Sequence, residues 1–256
     1  MTTAGEVQIA GVTARVVGDP AADGALLWVG DAEEESDSAD VDPVPALALG
    51  SGWQVIAIDP AALQSRFPAP LTAAYRCAVE VATGAVEGLA TPAALALGGE
   101  RFGAGVAAGA ALLARRYGGP TVAAQVLLAP VLDARLASPS WQQRDDDPER
   151  LRLEGLFARY APGLDRADPL LSPLCEADLA GLPATVLATF AADSSRDDGE
   201  RYAGRLQDAG VAVLGHRYAA GSRHTDAWRR AARGVGSALA AVWSQGGGSR
   251  VLGSSG

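Results

Sequence analysis

The stretch LALGGERFGAG, Leu95–Gly105, decides how the rest of the chain is read. An apolar run of strand character enters a turn through Gly98 and Gly99, and a small-residue pattern of helical character leaves it through Gly103 and Gly105. A strand that folds back sharply into a helix is how a nucleophile is raised above the end of a sheet. Here the turn offers Glu100, Arg101 and Phe102 instead of a hydroxyl or thiol. Glycine spacing puts Arg101 at the apex, and a register one residue later puts Phe102 there.

Working outward, short apolar runs alternate with helix-like segments. Strands are expected at VQIAG, VTARVV, GALLWVG, WQVIAIDP, AALALGG, VAAQVLLAP, PATVLATF and VAVLGHRY, with helices over 69–87, 103–117, 197–209 and 225–243. Nearly continuous apolar strands separated by crossover-length segments read as a mostly parallel sheet flanked by helices. The early strands before the first helix suggest a mixed sheet whose first strands are antiparallel. Residues 133–182 separate two strands by more than a crossover needs, and Trp141, Phe157 and Tyr160 fall within them. This insertion is read either as a reduced cap facing a pocket or as a packed surface excursion. The expected organisation is one α/β domain over 1–245, with a linker-like, disordered tail at 246–256 (GGGSRVLGSSG).

Composition narrows the functional classes. The net charge is −9, so the surface field opposes nucleic acid and anionic membranes, and no nucleic-acid or membrane partner is expected. All 21 basic residues are Arg, which fits GC-rich coding better than selection site by site. No apolar run approaches the roughly 18–20 residues of a membrane span. The N-terminal MTTAGEVQIAG lacks a basic segment followed by a long apolar core, and Cys77 and Cys175 make no disulfide framework. A cytoplasmic location is the expectation. Seven carboxylates crowd the loop from Asp31 to Asp42, a solvated run whose spacing matches no metal loop, so neither metal nor cofactor is expected.

The order of these motifs resembles the α/β-hydrolase fold, and within it the hormone-sensitive-lipase-like esterases. The likeness runs from about Val7 to Trp243 and rests on WQVIAIDPAALQSRFPAPLTAAYRCAVE, AGAALLARRYGGPTVAAQVLLAPVLDA and RADPLLSPLCEADLAGLPATVLATFAADSSRDDGERYAGRLQDAGVAV. The resemblance implies an oxyanion loop at Gly30, Asp31, Ala32 and Glu33, where carboxylates stand in place of the family's His-Gly-Gly-Gly. A negative charge beside a developing oxyanion opposes acyl transfer. The resemblance also implies a triad acid at Asp193. It places the triad histidine at Arg223, with His224 one step later; His216, on an expected strand, reads as structural. The family's N-terminal cap segment has no counterpart here, which implies a wider pocket mouth.

Losing nucleophile, oxyanion loop and histidine together resembles the serine-less α/β-hydrolase-fold proteins of peptide natural-product pathways, such as the bottromycin epimerase. That resemblance implies an isomerase that epimerises an aspartate Cα in a modified peptide, with Asp193 and His224 as proton carriers and part of the transfer supplied by the substrate. Trp28, Phe102 and Trp141 would form an apolar wall, Gly30 and Asp31 would border it, and Arg101 or Arg223 would hold a substrate carboxylate. The alternatives are a pseudoenzyme that binds a bulky small molecule without turnover, and a residual esterase with an unrecognised nucleophile. Each aromatic and charged residue also has a purely structural reading. Trp28, Trp228 and Trp243 pack, Asp193 caps a turn, and Arg101 sits in a salt bridge with Glu100 or a carboxylate across the turn.

Overall fold

A computed structural model describes residues 3–31, 42–58, 65–143, 146–219 and 225–247. Ala32, Glu33, Arg223, His224 and residues 248–256 of the expected tail lie outside these residues, whereas Gly246 and Gly247 belong to the last helix. Eight strands form one sheet in the order β1-β2-β4-β3-β5-β6-β7-β8. They are β1 (Thr3–Ile9), β2 (Val12–Gly18), β3 (Gly24–Val29), β4 (Gln54–Ile58), β5 (Ala94–Glu100), β6 (Ala124–Leu128), β7 (Ala184–Phe190) and β8 (Val213–Tyr218). β1–β2 and β2–β4 pair antiparallel, and every later pairing is parallel, as the sequence predicts. β3, β5 and β6 are buried along their whole length, which is why they read as unbroken apolar runs.

Helices cover both faces. α1 (Val44–Ser51) and α6 (Asp226–Gly247) pack on one face, over a core containing Leu26, Trp28, Val55 and Phe190. Trp228, Ala231, Ala232, Val235 and Leu239 recur at helical spacing and form the apolar stripe of α6. The other face carries α2 (Ala69–Thr83), α3 (Arg101–Tyr117) and α5 (Arg196–Asp208). The 133–182 insertion contributes α4 (Pro148–Tyr160), begun by Asp147, whose carboxylate accepts from Glu149 N. Leu153, Leu156, Phe157 and Tyr160 of α4 are buried in the α2–α3 core, so this part of the insertion packs as core. Among the described residues no helix is long and apolar enough to cross a membrane.

The turn between β5 and α3 is held by close backbone approach. A Cβ on Gly103 would lie 2.1 Å from the Gly30 carbonyl oxygen and 2.2 Å from that of Val29. A Cβ on Gly99 would meet Gly103 itself at 2.6 Å. Only glycine at both positions lets the first turn of α3 sit against the ends of β3 and β5. Gly103→Ala is therefore expected to lower stability by about 1–3 kcal/mol through overpacking. Gly5→Ala, with open space around its Cβ, should change it little. Urea unfolding of the two variants measures the contrast.

Candidate active site

The apex of the β5–α3 turn carries Arg101. Its φ is +50°, in the left-handed region, whereas Phe102 has no positive φ. A non-glycine residue in that region is strained, and such residues gather at functional turns. Arg101 is 5% exposed and is surrounded by carboxylates from three other elements. Its Nη1 donates to Asp193 Oδ2 at 2.9 Å, its Nε donates to Glu149 Oε1 at 3.0 Å, and its Nη2 also bonds Glu149. Asp31 Oδ2 stands 4.0 Å from Nε. Arg152, one turn along α4 from Glu149, closes the cluster with 2.9 Å bonds to both Glu149 oxygens and a 3.3 Å bond to Asp31.

The electrostatics follow from this geometry. Burial alone would make Arg101 easier to deprotonate, but Asp193, Glu149 and Asp31 outweigh it and hold the guanidinium even more firmly charged than usual. Burial would raise the Glu149 pKa. The Arg152 hydrogen bond and the charges of Arg101 and Arg152 overcome that and pull it from 4.5 down to about 2. Asp193 is fully engaged: one oxygen accepts from Arg101, and the other from the backbone N–H and hydroxyl of Ser195 at 2.8 and 2.7 Å. The structural reading of Arg101 holds in kind, with a different partner from Glu100. The Glu100 carboxylate accepts from Trp228 Nε1 at 3.1 Å.

The expected aromatic wall is not assembled. Phe102 is 3% exposed and packs in the α2–α3 core, 5.0 Å from the Tyr160 ring and 5.8 Å from that of Phe157. Trp28 belongs to the α1–α6 core on the opposite face of the sheet. Trp141 is fully buried, and its Nε1 donates to Asp198 at 3.2 Å. Consecutive strand residues point to opposite faces, so the end of β3 and the start of α3 present their rings in different directions. The cavity beside Phe102, Phe157 and Tyr160 measures about 10 Å³, room for about one water molecule. Gly30 packs its carbonyl against Gly103, and Asp31 is fully buried. His216 lies exposed on β8, its ring 4.4 Å from that of Tyr218.

Sequence reasoning missed Glu149 and Arg152. The signal was present as an Asp-Pro-Glu helix start followed by an arginine one turn on, DPERLR from Asp147 to Arg152. What it lacked was any indication that this turn lies over the elbow.

A family model described as the alpha/beta hydrolase fold matches residues 32–225. Carboxylesterase NlhH of Mycobacterium tuberculosis is 35% identical over 180 residues, 67% of this chain and 56% of the relative. The chain thus spans little more than half the length of that curated relative. Among solved structures, EstE5 aligns with a TM-score of 0.82 at 21% identity, over 95% of this chain and 85% of that one. A bacterial heroin esterase aligns with a TM-score of 0.78 at 27% identity, over 94% and 84%. These findings overturn the peptide-epimerase expectation, because the named relatives are esterases. The geometry agrees on physical grounds. Asp193, the expected proton carrier, is tied to Arg101 and Ser195, and the wall that was to hold a peptide does not form.

Two outcomes follow for the ion cluster. Arg101→Met removes the cation that Asp193 meets at 2.9 Å and one of the two that hold part-buried Glu149 and fully buried Asp31, and is expected to cost about 3–5 kcal/mol of stability. Glu149, with its folded pKa depressed, contributes stability that is fully present above pH 4.5 and is lost as pH falls towards 2. Glu149→Gln should therefore flatten that limb of the pH–stability curve, as read by urea unfolding between those two pH values.

Proposed function

The chain belongs to the family with the α/β-hydrolase fold, and on that footing we propose that it is an esterase-type protein whose hydrolysis of carboxylic esters has fallen to a residual level. The observation that carries this reading is the guanidinium of Arg101 at the strained apex of the elbow. Arginine stays protonated and offers no lone pair for attack on a carbonyl. Loss of a serine nucleophile typically costs about 10⁶ in kcat, leaving roughly 10³–10⁴ over water from binding and the oxyanion site.

A hydroxyl paired with a carboxylate remains beside the cluster. The Ser194 Oγ–H donates to Asp147, one residue from Asp193 and two from Glu149. We assign the residual attack to Ser194, with Asp147 as the proton acceptor. A carboxylate is a weak base for this step at neutral pH, in keeping with slow turnover.

The second reading is a ligand-binding protein without turnover, favoured by the burial and ion pairing of Arg101 at the position of an attacking atom. p-Nitrophenyl butyrate hydrolysis and labelling with a serine-directed fluorophosphonate separate the two. Residual esterase activity predicts slow turnover and labelling, both abolished by Ser194→Ala. Turnover that survives Ser194→Ala would remove Ser194 from the mechanism. Absence of turnover above the buffer rate would overturn the esterase reading.

A further inference from the structure

Ser194 stands in the turn between β7 and α5, and its two neighbours are held on the side of the elbow. Asp193 accepts from Arg101, and the Ser195 hydroxyl donates to Asp193 and to the carbonyl of Ala129, just beyond β6. The Ser194 carbonyl is held from another direction, by the 133–182 insertion. Ser140, in the short 3₁₀ helix Pro139–Gln142, donates its Oγ–H to the Ser194 carbonyl oxygen at 2.7 Å. The same Oγ accepts from the Asp197 N–H at 3.1 Å, and the Ser140 N–H donates to Asp197 Oδ2 at 2.9 Å.

These three bonds do different work. The Asp197 N–H is one of the orphan donors in the first turn of α5, so the bond it makes to Ser140 caps a helix. The bond from Ser140 Oγ to the Ser194 carbonyl closes neither a helix nor a strand pairing. It fixes the plane of the peptide that follows Ser194. With Asp193 and Ser195 also held, the Ser194 side chain is directed to Asp147, to which its Oγ–H donates. Asp147 itself begins α4. The insertion thus grips Ser194 twice, by the carbonyl through Ser140 and by the hydroxyl through Asp147. Ser140 is 3% exposed, so this grip is shielded from competing water.

We infer, on the footing that Ser194 is the attacking group, that Ser140 is a positioning residue for it, setting the approach of the Ser194 hydroxyl to Asp147 through the Ser194 carbonyl. Ser140 touches no substrate in this role. A displacement of about 1 Å at a reacting group costs about 10²-fold in rate, so a single backbone hydrogen bond has leverage on the reaction.

The fluorophosphonate probe isolates this step. Ser194 Oγ bonds to phosphorus, fluoride leaves, and the hydroxyl proton passes to Asp147. Mass spectrometry locates the label, and the concentration dependence separates the maximal labelling rate from probe affinity. Ser140→Ala is expected to lower the maximal rate about 10- to 100-fold and to leave probe affinity unchanged. Ser138→Ala is the control. Ser138 is fully buried beside the same 3₁₀ helix and accepts from Arg201 at 3.1 Å, so its loss weakens the same contact with α5 without reaching the Ser194 carbonyl. Its labelling rate should match the native one. If Ser140→Ala does not fold, Asp197→Ala, which removes the acceptor of the Ser140 N–H at a partly exposed position, is expected to lower the rate in the same direction. Labelling slowed equally by Ser140→Ala and Ser138→Ala, or unaffected by Ser140→Ala, would remove Ser140 from the site and leave the esterase reading standing. Absence of label on Ser194 in the native protein would overturn Ser194 as the attacking group and Ser140 with it.

Discussion

The buried guanidinium of Arg101 is the interaction on which this end of the molecule depends. It joins the apex of the β5–α3 turn to Glu149 of α4, to Asp193 beyond β7 and to Asp31 beyond β3. A charge removed from water costs several kcal/mol and is tolerated only when its partners are close and themselves bonded. Here they are: Ser195 holds the other oxygen of Asp193, and Arg152 bridges Glu149 and Asp31. Removing one member exposes the others to the full penalty, so the cluster behaves as one unit. Four segments far apart in sequence are thereby held in one arrangement.

This unit also fixes where α4 lies over the elbow. α4 is anchored twice, by Glu149 on Arg101 and by Phe157 and Tyr160 on Phe102. The polar anchor sits at the helix start, where Asp147 caps the first turn, and the apolar anchor two turns later. Face-specific patterning of a single helix therefore sets α4 against both the Arg101 guanidinium and the Phe102 ring.

The fold was legible because its determinants are local or periodic. β3, β5 and β6 are buried on both faces and read as apolar runs, and Gly99 and Gly103 mark the turn by the backbone approach they permit. The site was less legible because it depends on convergence. Arg101 and Glu149 are 48 residues apart, and Arg101 and Asp193 are 92 apart. Nothing in either local sequence names the other. The grouping of Trp28 with Phe102 failed for a simpler reason: Leu27, Trp28 and Val29 alternate across the sheet, and the ring on the α1–α6 side cannot reach a pocket on the other.

The positive φ of Arg101 ties sequence, backbone and chemistry together. Such a torsion costs about 1–3 kcal/mol for a residue with a side chain and persists only where its surroundings over-determine it. In this fold the torsion raises the apex side chain above the ends of the strands, where a substrate carbonyl would meet it. The same elevation carries the Arg101 guanidinium to the point where carboxylates from α4 and from the segments following β3 and β7 converge. The glycines that permit the turn and the ion pairs that hold it therefore act on one feature. The geometry that would present an attacking atom presents a permanent cation, and the strain is balanced by ion pairing.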